Sequence, residues 1–261
     1  IMALLYVTSR YNYLLFHSLA EVFSVIVAWG IFMIAWNTRR LVEDRFLLFL
    51  GVAYLFVAAL DLLHTLAYSG MGVFPTHDAN LPTQLWIAAR YLESFSLLVA
   101  LLALGRKPGE YHLFGAYAVV TALFLFAIFV GFFPDCYVEE GGLTAFKIVS
   151  EYVICLILLV SLTVLYRHRQ RFDRAVLRLL VASVVVTIVA ELAFTVYVGV
   201  YDLSNVIGHL FKIISFYLVY KAIIETGLMR PFDFLFRDLK QSEIALRRHA
   251  AELEARNEEL D

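Results

Sequence analysis

Long apolar stretches alternate with short polar ones along this chain. A bilayer core takes about 20 mostly apolar residues per helix. Seven stretches are of this kind: residues 14–36, 46–68, 83–105, 111–133, 146–166, 176–200 and 203–226. Turn-forming or charged segments separate them at 37–45, 69–82, 105–109, 134–142, 167–174 and 201–202. No internal repeat is visible. The pattern predicts an all-α membrane protein, a seven-transmembrane helix bundle.

Past the seventh stretch the pattern changes. Pro231 follows Gly227 and breaks the helix. The segment from about Phe234 to Asp261 is polar and free of Gly and Pro, with Leu239, Leu246, Leu253 and Leu260 spaced seven apart. That is one position of a heptad; Ser242, His249 and Arg256, at the second seam position, are polar. An amphipathic helix lying on the domain or the membrane is one reading. The favoured one is a coiled-coil linker helix that joins two protomers and leads to an output domain, because the pattern runs uncapped to the last residue. The chain thus divides into a membrane domain at 1–228 and a signalling helix at 229–261. It begins at Ile1, so the natural N-terminus is expected upstream.

Composition agrees with the pattern. The chain is 62% hydrophobic and 17% charged, against about 45–50% and about 25% in ordinary soluble domains. Its net charge of -2 argues against a nucleic-acid partner and leaves the lipid bilayer as the environment. Cys136 and Cys155 have no metal-ligand spacing and form no disulfide framework.

The basic residues alternate between loops. Arg39, Arg40 and Arg45 follow span one; Arg106 and Lys107 follow span three; Arg167, Arg169, Arg171 and Arg174 follow span five. The other loops are nearly free of them, with only Lys147 beside the loop after span four. The positive-inside rule then puts the N-terminus outside and the C-terminus in the cytoplasm.

Ionisable residues within the spans carry the candidate chemistry, since each costs about 2.5–3.5 kcal/mol at mid-membrane. His17 and Glu21 share a face of span one, and Asp61 and His64 one of span two. Arg90 and Glu93 lie in span three, Glu151 in span five, Glu191 in span six, and His209 and Lys212 in span seven. At about 1.5 Å of rise per residue, His17 and His64 lie about 6 Å below the outer ends and His209 about 9 Å. Glu21, Asp61, Arg90 and Glu191 lie about 10–13 Å down, with Glu93 and Lys212 slightly deeper. The charges therefore meet at one depth in the outer half, which predicts a single polar pocket.

Histidines and carboxylates three or four apart on facing helices suit a transition metal ion such as Zn, Fe, Mn or Cu. The candidate ligands are His17, Glu21, Asp61, His64, Glu191 and His209. A haem between two of the histidines is an alternative cofactor. Arg90, Glu93 and Lys212, with Tyr68 and Trp86, are candidates for contacting an organic ligand. The simpler reading pairs these groups internally: Arg90 with Glu93 or Asp61, Lys212 with Glu191 or Glu21. Residues 68–86, with Gly70, Met71, Gly72 and Phe74, form either a lid or an interfacial aromatic belt. His77 is expected exposed in that loop, and His112, His168 and His249 are expected to be bland.

No phosphate loop, nucleophile constellation or zinc-protease signature appears, so the chain is not read as an enzyme. A transporter would continue its polar path into the inner half and often shows repeats. A membrane-integral metal-dependent enzyme would need an open coordination position. A retinal photoreceptor would use Lys212 with Glu93 as counter-ion, but Gly208 stands where microbial retinal proteins usually have Asp.

The run from Asp61 through His64, Tyr68 and Met71 to Phe74, and that from Gln84 through Trp86 and Arg90 to Glu93, resemble the third type of membrane-associated sensor domain (MASE). So do His17 to Glu21, Glu191 with Phe194 and Tyr197, and Gly208-His209 with Lys212, Ser215 and Tyr217. The resemblance implies an N-terminal input module in the bacterial inner membrane. Such modules precede PAS domains, histidine kinases or enzymes that make or break cyclic-di-GMP. It does not imply a ligand, so the metal or haem proposal rests on the residues themselves.

Overall fold

The computed structural model describes residues 2–40, 45–75, 77–195, 203–226 and 239–249. Seven of its helices are long and apolar enough to cross a membrane. They are α2 (Tyr13–Thr38), α3 (Phe46–Ala67), α4 (Asn80–Leu102), α5 (Glu110–Val130), α6 (Ala145–Arg167), α7 (Arg174–Ala193) and α8 (Leu203–Ile224). A short helix that the apolar pattern did not predict, α1 (Met2–Tyr11), precedes them and packs on α2 and α8. A two-residue hairpin, β1 (Tyr137–Val138) with β2 (Gly142–Leu143), sits between α5 and α6.

Helix starts follow local chemistry. Asn12, Thr144 and Asp173 cap α2, α6 and α7, their side-chain oxygens accepting from the backbone N–H of Leu15, Lys147 and Ala175. Helix α4 begins at Asn80, three residues before the hydropathy pattern suggests. Its first backbone N–H is satisfied by the Asp78 carboxylate at 2.9 Å, and Pro82 is tolerated in the first turn. The sixth span, expected to reach residue 200, ends its helix at Ala193, with a turn at 194–195.

Packing arranges six helices as a closed ring in the order α2, α3, α4, α6, α7, α8, with α5 outside against α3. Of the apolar spanning stretch of α4 67% is buried, and of that of α5 only 22%, so α4 is the central element and α5 the peripheral one. Apolar side chains such as Trp29, Met33, Leu123, Phe126, Leu156 and Leu159 point outward. Inward faces carry Ser24, Gln84, Arg90, Glu93, Ser96 and Lys212. In water this arrangement would be unfavourable; in lipid it leaves the apolar face outside. Gly51 lets α2 and α3 meet closely, since a Cβ there would lie 2.3 Å from that of Ala35.

Residues 239–249 are helical, with Leu239 and Leu246 exposed. The remainder of the expected linker, including Pro231, Leu253 and Leu260, lies outside the described residues, as do Tyr197 and the turn at 201–202.

Candidate functional site

Three imidazoles from three helices meet near the hairpin end of the ring. His17 on α2 approaches His64 on α3, Nε2 to Nε2 at 3.2 Å. His64 Nδ1 lies 2.7 Å from the Pro82 carbonyl. Only an N–H can face a carbonyl, so Nδ1 donates and the Nε2 of a neutral His64 keeps its lone pair. His17 then donates through Nε2, and its Nδ1 finds no partner among the described residues. His209 on α8 meets His17 edge to face at 4.8 Å between centroids, and its Nδ1 lies 3.0 Å from Glu21 Oε1. One ligand atom each from His17, Glu21 and His209 falls within 4.8 Å of the others.

A chain of ion pairs runs on from Glu21. Lys212 Nζ bridges Glu21 Oε2 at 2.6 Å and Asp61 Oδ2 at 3.0 Å. Arg90 Nη2 donates to both Asp61 oxygens at 2.8 Å, and Nη1 pairs with Glu93. The Tyr54 hydroxyl donates to Glu93 Oε1 at 3.0 Å and ends the chain. Trp86 lies under both cations, 4.8 Å from the Arg90 guanidinium and 4.6 Å from Lys212 Nζ. The chain ties α2, α3, α4 and α8 together. With its carboxylates ionised and imidazoles neutral, three anions face two cations and one negative charge is left over.

A cavity of about 40 Å3 adjoins the imidazoles. Its lining includes His17, His64, His209, Tyr68, Phe194 and Lys147. That is room for an ion or a few waters. It is no slot for a haem, because the imidazoles that would flank the macrocycle touch one another.

The expected ligands divide. His17, Glu21, His64 and His209 come together. Asp61 is turned away, held by Arg90 and Lys212. Glu191 is not in the group; it faces Glu151 across α6 and α7. Of the expected internal pairs, Arg90 makes both of its alternatives and Lys212 takes Glu21. The retinal reading expected Glu93 as the counter-ion of Lys212; Lys212 lies instead between Glu21 and Asp61, and Glu93 pairs with Arg90. Phe194 occupies the space beside Gly208, where a Cβ would lie 2.3 Å from its ring.

Trp86, which the sequence pattern placed where the external loop meets span three, is buried on α4. The loop itself does cover the site in part. Tyr68 stacks on His17 at 3.7 Å between centroids, and the Ser18 hydroxyl donates to Met71 Sδ at 3.7 Å. Phe74 packs instead toward His77 and Phe129. His77, His112 and His249 are exposed and His168 is half-buried.

Two participants escaped the sequence reading. Tyr54 sits seven residues, two turns, before Asp61 on α3 and carries no charge to flag it. Lys147 looked like a loop flank, yet it is 1% exposed and pairs with Glu151 at 2.9 Å. The i,i+4 spacing of those two residues was the available signal.

No curated protein and no solved structure matches the chain. The family model described as "Membrane-associated sensor domain", MASE3, matches residues 8–231. That match runs from α1 to beyond α8 and takes in every helix that contributes to the polar chain, so the protein belongs to the MASE3 family of membrane-associated sensor domains.

Proposed function

We propose that this domain is the input module of a bacterial inner-membrane signalling protein, and that its ligand is a first-row transition metal ion held by His17, Glu21, His209 and His64. The observation that carries the ligand assignment is the convergence of three buried imidazoles and one carboxylate beside a small cavity. The surrounding chemistry suits it. His64 already donates its other N–H to a carbonyl, the arrangement that orients metal-ligating histidines. Lys212 holds the second Glu21 oxygen, while the first faces His209 Nδ1, the other ligand an ion there would share. The residual negative charge of the cluster favours a cation.

The ligands come from α2, α3 and α8, so an ion draws α8 toward the other two. A signal requires that the ion prefer one of two bundle arrangements. Helix α8 is the last span, and its movement passes into the 229–261 helix. That helix pairs with a second copy and drives a cytoplasmic output domain, a histidine kinase or a cyclic-di-GMP enzyme. The N-terminus lies outside, as the Lys/Arg distribution of the loops requires.

Purified protein titrated with Co2+ and followed by visible absorption tests the site. The wild-type chain is expected to bind about one ion in a tetrahedral, strongly absorbing environment. His17→Ala and His209→Ala are expected to lose at least about 100-fold in affinity, more than loss of an outer-shell partner costs. A chain that melts normally but takes up no cobalt, and carries no metal on elemental analysis, rejects the metal assignment.

A further inference from the structure

A second cluster of ionisable groups lies on α6 and α7, apart from the proposed metal ligands. Glu151 is fully enclosed and Glu191 is 2% exposed. Their carboxyl groups are within hydrogen-bonding reach of one another. Lys147, one turn before Glu151, pairs with Glu151 Oε1 and also donates to the Phe194 carbonyl. Neither Glu151 Oε2 nor Glu191 Oε2 meets a hydrogen-bond donor among the described residues.

Among the described residues, the other ionisable groups near the pair are accounted for. Arg90 and Glu93 face it from α4, and Cys155 lies beside it on α6. Arg90 is already bound to Asp61 and Glu93. Helix α8, packed along α7, carries His209 and Lys212, and both are engaged by Glu21. Cys136 and Asp135 approach from the loop before the hairpin and add no cation. Two buried carboxylates, with one ammonium paired to Glu151, repel at hydrogen-bond distance unless one takes a proton.

We infer that Glu151 and Glu191 form a binding site for one proton. The proton adds to a carboxylate oxygen and makes an O–H···O bond between α6 and α7. Its release leaves two anions facing each other and removes that link. Lys147 connects the pair to the imidazole cavity: its side chain both lines that cavity and pairs with Glu151. Because α7 packs along α8, protonation reaches the same output helix as the proposed metal. The domain therefore carries a second, proton-dependent input, and this inference does not depend on any metal being bound.

Infrared spectroscopy of the purified chain in lipid nanodiscs tests it. The wild-type spectrum is expected to contain a protonated-carboxyl C=O band from a buried group that bleaches on alkalinisation. Glu191→Gln supplies an amide donor to the Glu151 carboxylate in place of the proton, so the band is expected to vanish. Glu151→Gln is expected to shift or remove it, and decides the question if the first variant does not fold. A wild-type spectrum without such a band, or a band unchanged in a folded variant, overturns the inference.

Discussion

Arg90→Met removes the guanidinium that joins Asp61 to Glu93 while keeping a long apolar side chain in its place. Arg90 is 2% exposed, Asp61 is fully buried and Glu93 is 8% exposed, so solvent screens little of the loss. Asp61 keeps Lys212 at 3.0 Å. Among the described residues Glu93 keeps only the Tyr54 hydroxyl, also at 3.0 Å, and becomes a buried carboxylate without a paired cation. Breaking such a pair from one side costs about 3–5 kcal/mol. For a chain of this size that corresponds to a fall in melting temperature of about 6–20 °C. The assay is thermal unfolding in detergent by circular dichroism. The reasoning makes a second demand: removing the stranded carboxylates as well relieves most of the penalty, because the cost lies in the unpaired charges. The triple variant Asp61→Asn, Arg90→Met, Glu93→Gln is therefore expected to melt well above Arg90→Met alone. A single variant that melts within about 2 °C of wild type, or a triple variant that melts no higher than the single, refutes this account of the network.

Gly208→Ala forces a methyl group into the Phe194 ring beside His209. It is expected to cost about 1–3 kcal/mol by overpacking, and a smaller residue at 194 should restore the melting temperature. Cys136, in the loop before the hairpin, is fully buried. Burial pushes its thiol up from the ordinary 9.0 to about 12. The folded chain should resist maleimide at pH 8 and react only once unfolded. The unfolded chain ionises this thiol near 9 while the folded chain holds the proton to about 12. Its contribution to stability is therefore complete below about 9 and lost as pH rises to about 12. Cys136→Ala should flatten the alkaline end of a stability profile, and an unchanged slope would count against this.

Hydropathy alone located the seven spans, because a lipid-facing helix must be apolar over a fixed length whatever its neighbours. Charge spacing within those spans marked His17 with Glu21, Asp61 with His64, and Arg90 with Glu93 as polar faces. The rise of a helix is constant, so residue count also gives their depth. What residue count cannot give is rotation about the helix axis or the order of helices around the ring. Those are set by side-chain packing, by the close approaches at Gly51 and Gly208, and by where the chain turns. The depth argument therefore put Glu191 with the imidazoles, whereas the ring order places α7 beside α6 and gives it to Glu151. It left Lys147 at a loop edge, whereas packing of α6 turns it inward, where it pairs with Glu151. Trp86, at the junction of the loop and span three, likewise turns into the core, where it lies against Phe194 and His209. Sequence determined which groups must leave the lipid; only the tertiary structure decided which of them face one another.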